Sequence, residues 1–197
     1  PRLRPVSSGS PEPDERMAMA PPMRILPIAA LFLLISTPVA AQAAPCATPE
    51  ARQLDFWLGE WNLTWEGGRG TNSITRRFGN CVIQENFSGE LDSGPFRGHS
   101  VSVYDERSEQ WRQTWVDDRG GYLLFAGGFD EDGIMRLYGE QAVLEDGRRR
   151  ITRMSWLNVE RDSLDWHWER SFDGGETWDL VWAIHYERAV VGSDVDG

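Results

Sequence analysis

The chain has 197 residues, with 31 acidic side chains against 20 basic ones and a net charge of −11. That excess argues against nucleic acid and anionic membrane surfaces as partners, because both select basic patches. All 20 basic residues are arginine, which excludes Schiff-base and lysine-nucleophile chemistry.

In chain order, residues 1–22 are rich in Pro, Ser and charge and have no apolar period, so they read as a disordered upstream extension. Met17, Met19 and Met23 are all candidate starts. Residues 23–43 have the three parts of a secretory signal: Arg24, then the apolar run ILPIAALFLLI, then a small-residue end with an A-x-A site at Ala41-Gln42-Ala43. Pro27 and Pro38 break the run, and it is too short for a membrane span. The expectation is a bacterial protein that is periplasmic or secreted, with no integral membrane segment after cleavage. Without residues 1–43 the chain keeps 28 acids against 16 bases, a net charge near −12.

Cys46 and Cys81 are the only cysteines. In an exported chain they predict one disulfide between the N-terminal segment and an internal strand. Thr48-Pro49-Glu50 predicts a short helix, with Thr48 as its cap and Pro49 at the first helical position.

From Glu60 onward the alternation has a period of two. Ten strands are expected, at 60–66, 71–78, 81–88, 96–105, 110–117, 121–127, 134–139, 149–158, 163–172 and 177–188. Their links are short and turn-like (DERSE, DDRGG, DEDG, LEDG, VERD, DGGE), so neighbours should pair antiparallel as hairpins. No link has room for a crossover helix, which excludes a βαβ protein. An open sheet of ten strands would expose two edges, and closure removes them. The predicted fold is therefore all-β: an antiparallel up-and-down barrel over 44–190, with a disordered tail at 191–197. A two-sheet sandwich is the structural rival.

The stretch DFWLGEW (Asp55 to Trp61) resembles the opening of an uncharacterised family of bacterial calycin-like, or lipocalin-like, domains. The resemblance continues through Asn72 to Ile74, GNCVIQENF from Gly79, WRQTWVDDRG from Trp111, Met154 to Trp156, ERSFDGGETW from Glu169 and Tyr186 to Arg188. It implies a barrel opened by a short helix and a Gly59-x-Trp61 turn. That family has no agreed activity or catalytic residues to carry over. The residues themselves agree: Gly59 lets the chain turn sharply, and Trp61 can plug one barrel end.

Several residues are candidates for chemistry. Cys81, Ile83, Glu85 and Phe87 share a face. If that face is inward, Glu85 is a carboxylate in an apolar setting, suited to proton transfer or to accepting a ligand's hydrogen bond. An ion pair with Arg97 or Arg112 is the alternative. Trp111, Gln113 and Trp115 share another face, where an amide between two indoles suits a flat polar ligand or satisfies backbone groups at a barrel end. Arg97 and His99 share a face with Val101 and Val103 that could line a pocket. The expected ligand-binding set is thus Glu85, Arg97, His99, Trp111, Gln113 and Trp115, for a small, partly apolar molecule.

No catalytic residues are assigned; an enzyme using Glu85 as acid or base is the second reading. No metal is expected, since there is no H-x-H, HExxH or cysteine quartet, and no cofactor is assigned. A haem barrel resembling nitrobindin, or an envelope interaction module, is a further alternative. Haem would need a late-strand histidine inside, and His185 lies opposite the apolar face of Trp182, Ile184 and Tyr186. Asp165, His167 and Glu169 read as an outer face. SFDGGETW (Ser171 to Trp178) matches the Asp-box of sialidase-type propellers. One copy in a chain this short cannot build a propeller, so the stretch is expected to be the hairpin between the last two strands, with Trp178 entering the final strand on its buried side.

Overall fold

The computed structural model describes residues 45–190. The expected signal segment, upstream extension and C-terminal tail lie outside the described residues.

Two 3₁₀ turns, Glu50–Arg52 and Asp55–Trp57, form the helical opening. Thr48 Oγ1 accepts the Ala51 N–H at 3.3 Å, filling one of the donors that a helix start leaves unpaired. The chain leaves this segment through Gly59 at φ 130°, a conformation closed to side chains with a Cβ. A methyl group there would also collide with the Arg188 guanidinium.

Eleven strands follow: β1 (Gly59–Trp65), β2 (Gly68–Arg77), β3 (Val82–Leu91), β4 (Gly94–Asp105), β5 (Gln110–Asp117), β6 (Tyr122–Phe129), β7 (Met135–Gly139), β8 (Ala142–Val143), β9 (Arg149–Leu157), β10 (Ser163–Ser171) and β11 (Asp179–Arg188). Ten of them close into an antiparallel barrel. β1 to β7 pair in sequence, β9 joins β7 to β10, and β11 pairs with both β10 and β1. The two-residue β8 is a side piece that pairs only with β9. The barrel reading holds, and the sandwich does not.

Alternation decides which side chains fill the lumen. Trp61 and Leu63 of β1, Asn72 and Ile74 of β2, Ile83, Glu85 and Phe87 of β3, and Trp111 and Gln113 of β5 are all buried. At the end beneath the helical segment the lumen is solid. Trp61 Nε1 donates to Trp57 O at 2.8 Å, Trp57 meets Trp156 edge-on at 5.3 Å, and Trp111 Nε1 donates to Gln53 Oε1 at 3.2 Å. Arg188 covers this plug from outside. Its guanidinium lies 4.2 Å over the Trp61 ring and donates to Leu58 O.

The final hairpin departs from expectation at one point. Asp173 organises the turn as read: its carboxylate accepts the Glu176 and Thr177 N–H groups and the Thr177 hydroxyl, and Gly174 and Gly175 take positive φ. These bonds, led by that from the Thr177 side chain, hold the Asp173 carboxyl far below its ordinary range. Trp178, however, does not turn inward. Trp168 pairs with Trp182 but Glu169 pairs with Leu180, so Val181 is an extra residue and a bulge resets the alternation. Trp178 packs instead against Tyr138 and under the Arg153 guanidinium.

Cys46 and Cys81 form the expected disulfide, with Cα atoms 5.1 Å apart, pinning the helical segment to the β2–β3 turn. It spans 35 residues, and closing a loop of that length restricts the unfolded chain by about 3–4 kcal/mol. Replacing both cysteines by alanine is expected to lower the urea-unfolding free energy by about that amount while the native far-UV spectrum is kept. A loss below about 1 kcal/mol would mean that the plug alone holds the N-terminal segment.

Candidate functional site

Above the plug the lumen is not filled. A cavity of about 320 Å³ lies inside the other half of the barrel. Its floor is set by Trp57 and Tyr186, and its walls include Phe87, Phe125, Trp166, Trp168 and Trp182; Phe96, Trp115, Asp117, Leu123 and Val181 lie toward the strand ends away from the helical segment.

The aromatic wall depends on glycine. Trp65 lies across Gly68 and Gly89, and Trp115 lies across Gly98, so closely that a Cβ at any of the three would overlap the indole; at Gly70, also beside Trp65, a Cβ would meet the Ser88 carbonyl. Bare backbone on the lumen side of β2, β3 and β4 therefore makes room for large rings. The rings then contact one another edge to face: Phe87 with Phe96, Trp115 and Trp182, and Trp166 with Trp182, all at centroid separations of 5.8 to 6.2 Å.

Into this apolar sleeve β3 places one carboxylate. Glu85 is 6 % exposed, and no arginine pairs with it. Its partners are neutral: Asn72 Nδ2 donates to Oε1 at 2.7 Å and Ser100 Oγ donates to Oε2 at 2.5 Å. Burial raises its pKa from 4.5 to about 7, against the opposing pull of the Ser100 and Asn72 hydrogen bonds. Asn72 Nδ2 also reaches the Tyr186 hydroxyl at 3.2 Å, while Asn72 Oδ1 is buried with no partner. Burial, and then the charge of Glu85, push the Tyr186 phenol well above its ordinary range. Gln113 stands beside this group, its Nε2 donating to Ser102 Oγ at 3.0 Å.

The six residues singled out from sequence divide three ways. Glu85, Gln113 and Trp115 line one cavity. Trp111 is inward but belongs to the plug. Arg97 and His99 sit on the outer side of β4, because Ser100 and Ser102 are the buried residues of that strand. His99 Nδ1 there lies 3.0 Å from Asn86 Oδ1, and Val101 and Val103 of the same face are exposed. The strand is thus turned opposite to expectation: its valines face out and its serines face in, toward Glu85 and Gln113. The proposed ion pairs of Glu85 with Arg97 or Arg112 are absent for the same reason. Arg112 is outward too, bonded to Asp105.

His185 is also outside, its Nδ1 2.7 Å from Asp165 Oδ1, so it does not present an axial nitrogen to the lumen. Glu169 pairs on the outer face with Arg153 at 2.7 Å. Among the described residues, no group of three or more His, Cys, Asp or Glu is gathered as a metal would require.

The family profile described as "Protein of unknown function (DUF1579)" matches residues 48–188, the span that builds the helical opening and the whole barrel. The chain belongs to this family of proteins of unknown function. No curated protein matches it. For DUF1579 the site must therefore be argued from its own atoms. Asn72 and Tyr186 complete that site and were not picked out from sequence as polar contacts. Asn72 on the face of Ile74, opposite Glu85's strand, is the signal that could have found the first; Tyr186 stood among apolar residues and read as core.

The raised pKa of Glu85 has a consequence for stability. The unfolded chain loses the proton near pH 4.5 and the folded protein keeps it to about pH 7. Between those values the folded state binds more protons, so stability is full below about 4.5 and falls as pH rises through 7, by roughly 3 kcal/mol. Glu85→Gln cannot ionise. It is expected to remove this fall and to be more stable than the wild type at pH 8, as read from urea midpoints at pH 5 and pH 8. A wild-type midpoint unchanged over that range would contradict the buried, neutral-partnered carboxyl.

Proposed function

We propose that this chain is an exported binding protein that holds a small, largely apolar molecule inside the barrel. The observation that carries the reading is the cavity itself. Protein interiors are close-packed, yet here an aromatic-walled space of about 320 Å³ stands over a packed plug, with a few convergent polar groups at its base. That combination is the ordinary form of a small-molecule site. Trp115 and Phe87 supply stacking surface, and Glu85 and Gln113 supply the groups that fix orientation. Export is supported by the sequence of residues 23–43 and by the disulfide, which persists in oxidising compartments. No helix of the described residues is long and apolar enough to cross a membrane.

A second reading has one observation in its favour. A carboxyl with a pKa of about 7 inside a ligand-sized cavity is poised to take and return a proton. An enzyme of this kind would exchange an acidic C–H of its bound molecule with deuterium in heavy water, and Glu85→Gln would not.

Binding is tested with the neutral fluorophore N-phenyl-1-naphthylamine. The wild type is expected to bind it with a blue shift and gain in emission. Leu123→Trp, which places an indole at the mouth, should weaken this at least about tenfold, or about 1.4 kcal/mol. Leu123 is 40 % exposed, so the substitution spares the plug. No emission change with the wild type, or equal binding by the variant, would count against the cavity as the binding place.

A further inference from the structure

We infer that the molecule taken by this cavity is an organic cation, an aromatic or alkyl ammonium compound whose charged end meets Glu85. The inference rests on the proposed binding role and deepens it.

The first ground is the balance of charge on the lining. Among the described residues two carboxylates, Glu85 and Asp117, face the space, and no Arg or His does. Asp117 is held ionised: its pKa lies below the ordinary value even against the cost of burial, through bonds from the Gly121 N–H and the Trp115 indole among others. A carboxylate ligand would enter against Asp117 and, above pH 7, against Glu85 as well; Arg119, the charge beside Asp117, lies outside the lining. Such juxtaposition is costly in a low-dielectric space.

The second ground is the state of Glu85. Its two hydrogen bonds come from the uncharged donors Asn72 and Ser100. Its register partner on β2 is Ile74, Tyr186 on β11 is near enough to feel its charge, and Gln113 and Trp57 line the same cavity. Among these only Tyr186 titrates, and it stays neutral. Above pH 7 the site therefore holds a buried anion without a partner charge. An ammonium group is the partner that this geometry lacks.

The third ground is the wall. Faces of Trp and Phe attract cations through their quadrupoles. The mouth already shows the effect on its outer side, where the Arg119 guanidinium sits 5.0 Å over the Phe96 ring. Arg119 is tied to Ser93 and outside the lining, so it leaves the inner faces free.

The test is a set of probes with one apolar body and three heads: 2-naphthylmethylamine, 2-naphthylmethanol and 2-naphthoate, titrated by calorimetry at pH 8. The amine is expected to bind at least about tenfold tighter than the alcohol and about a hundredfold tighter than the carboxylate. Its advantage should fall at least about tenfold in Glu85→Gln and should shrink about tenfold at pH 6 in the wild type, where Glu85 is mostly protonated. The pH arm needs no variant, so the inference is tested even if the substitution disturbs folding. If the alcohol or the carboxylate binds as tightly as the amine, or if N-phenyl-1-naphthylamine binds and the amine does not, the cation is wrong while the cavity reading stands. An amine preference undiminished in Glu85→Gln and at pH 6 overturns the assignment to Glu85. If none of the three probes binds, and N-phenyl-1-naphthylamine does not either, both readings fall.

Discussion

Everything distinctive about this molecule follows from the pairing of its last strand with its first. By bonding to β1 as well as β10, β11 turns a sheet of hairpins into a closed wall. Closure satisfies the two edges that an open sheet would leave. It also fixes a circumference, and a ring of ten strands encloses more space than ordinary side chains fill. The chain answers at one end with Trp57, Trp61, Trp111 and Trp156, which make a solid plug under the helical segment. At the other end it lines the wall with rings seated on glycine and leaves the centre open.

The position of Glu85 is a result of register rather than of local sequence. A one-residue slip of β3 would send it to solvent and bring Gln84 or Asn86 inward. Its neighbours come from strands on either side: Ile74 and Asn72 from β2, Ser100 from β4, and Tyr186 from β11, two strands beyond β2. The serines matter because they are small. They leave space beside the carboxyl, and the Ser100 hydroxyl donates to it, which lowers the cost of burying it without supplying a charge.

Much of this was legible from the residues. Strand spacing, hairpin links and the inward face of β3 follow from period-two alternation, and the disulfide follows from there being two cysteines. β4 was not legible. Its two faces are Phe96, Gly98, Ser100 and Ser102 on one side, and Arg97, His99, Val101 and Val103 on the other, and apolarity alone picks the wrong one. The face turned in is the one that must accommodate Trp115 on Gly98 and a hydroxyl at Glu85, and these demands come from other strands. Trp178 failed for a different reason. A single extra residue at Val181 reverses the phase of a strand, and no composition signal marks it. Gln113 and Trp115 reached the cavity as read from sequence; Trp111, one step along the same face, reached the plug because it lies under the helical segment and bonds Gln53.

The Arg188 contact with Leu58 joins residues 130 apart in sequence, and this has a temporal meaning. A ribosome makes β1 first and β11 last of the barrel strands, so until β11 is made the first strand has β2 on one side and nothing on the other. The hairpin of β10 and β11, with its self-bonded Asp173 turn, can form as soon as it emerges, but the ring cannot shut until it swings onto β1. Long-range pairings of this kind are slow and expose unpaired edges while they wait. The interval before closure is therefore when this chain is most open to pairing with the wrong partner, and the Cys46–Cys81 bond, formed between two early segments, shortens the search by holding the N-terminal turn where the last strand must land.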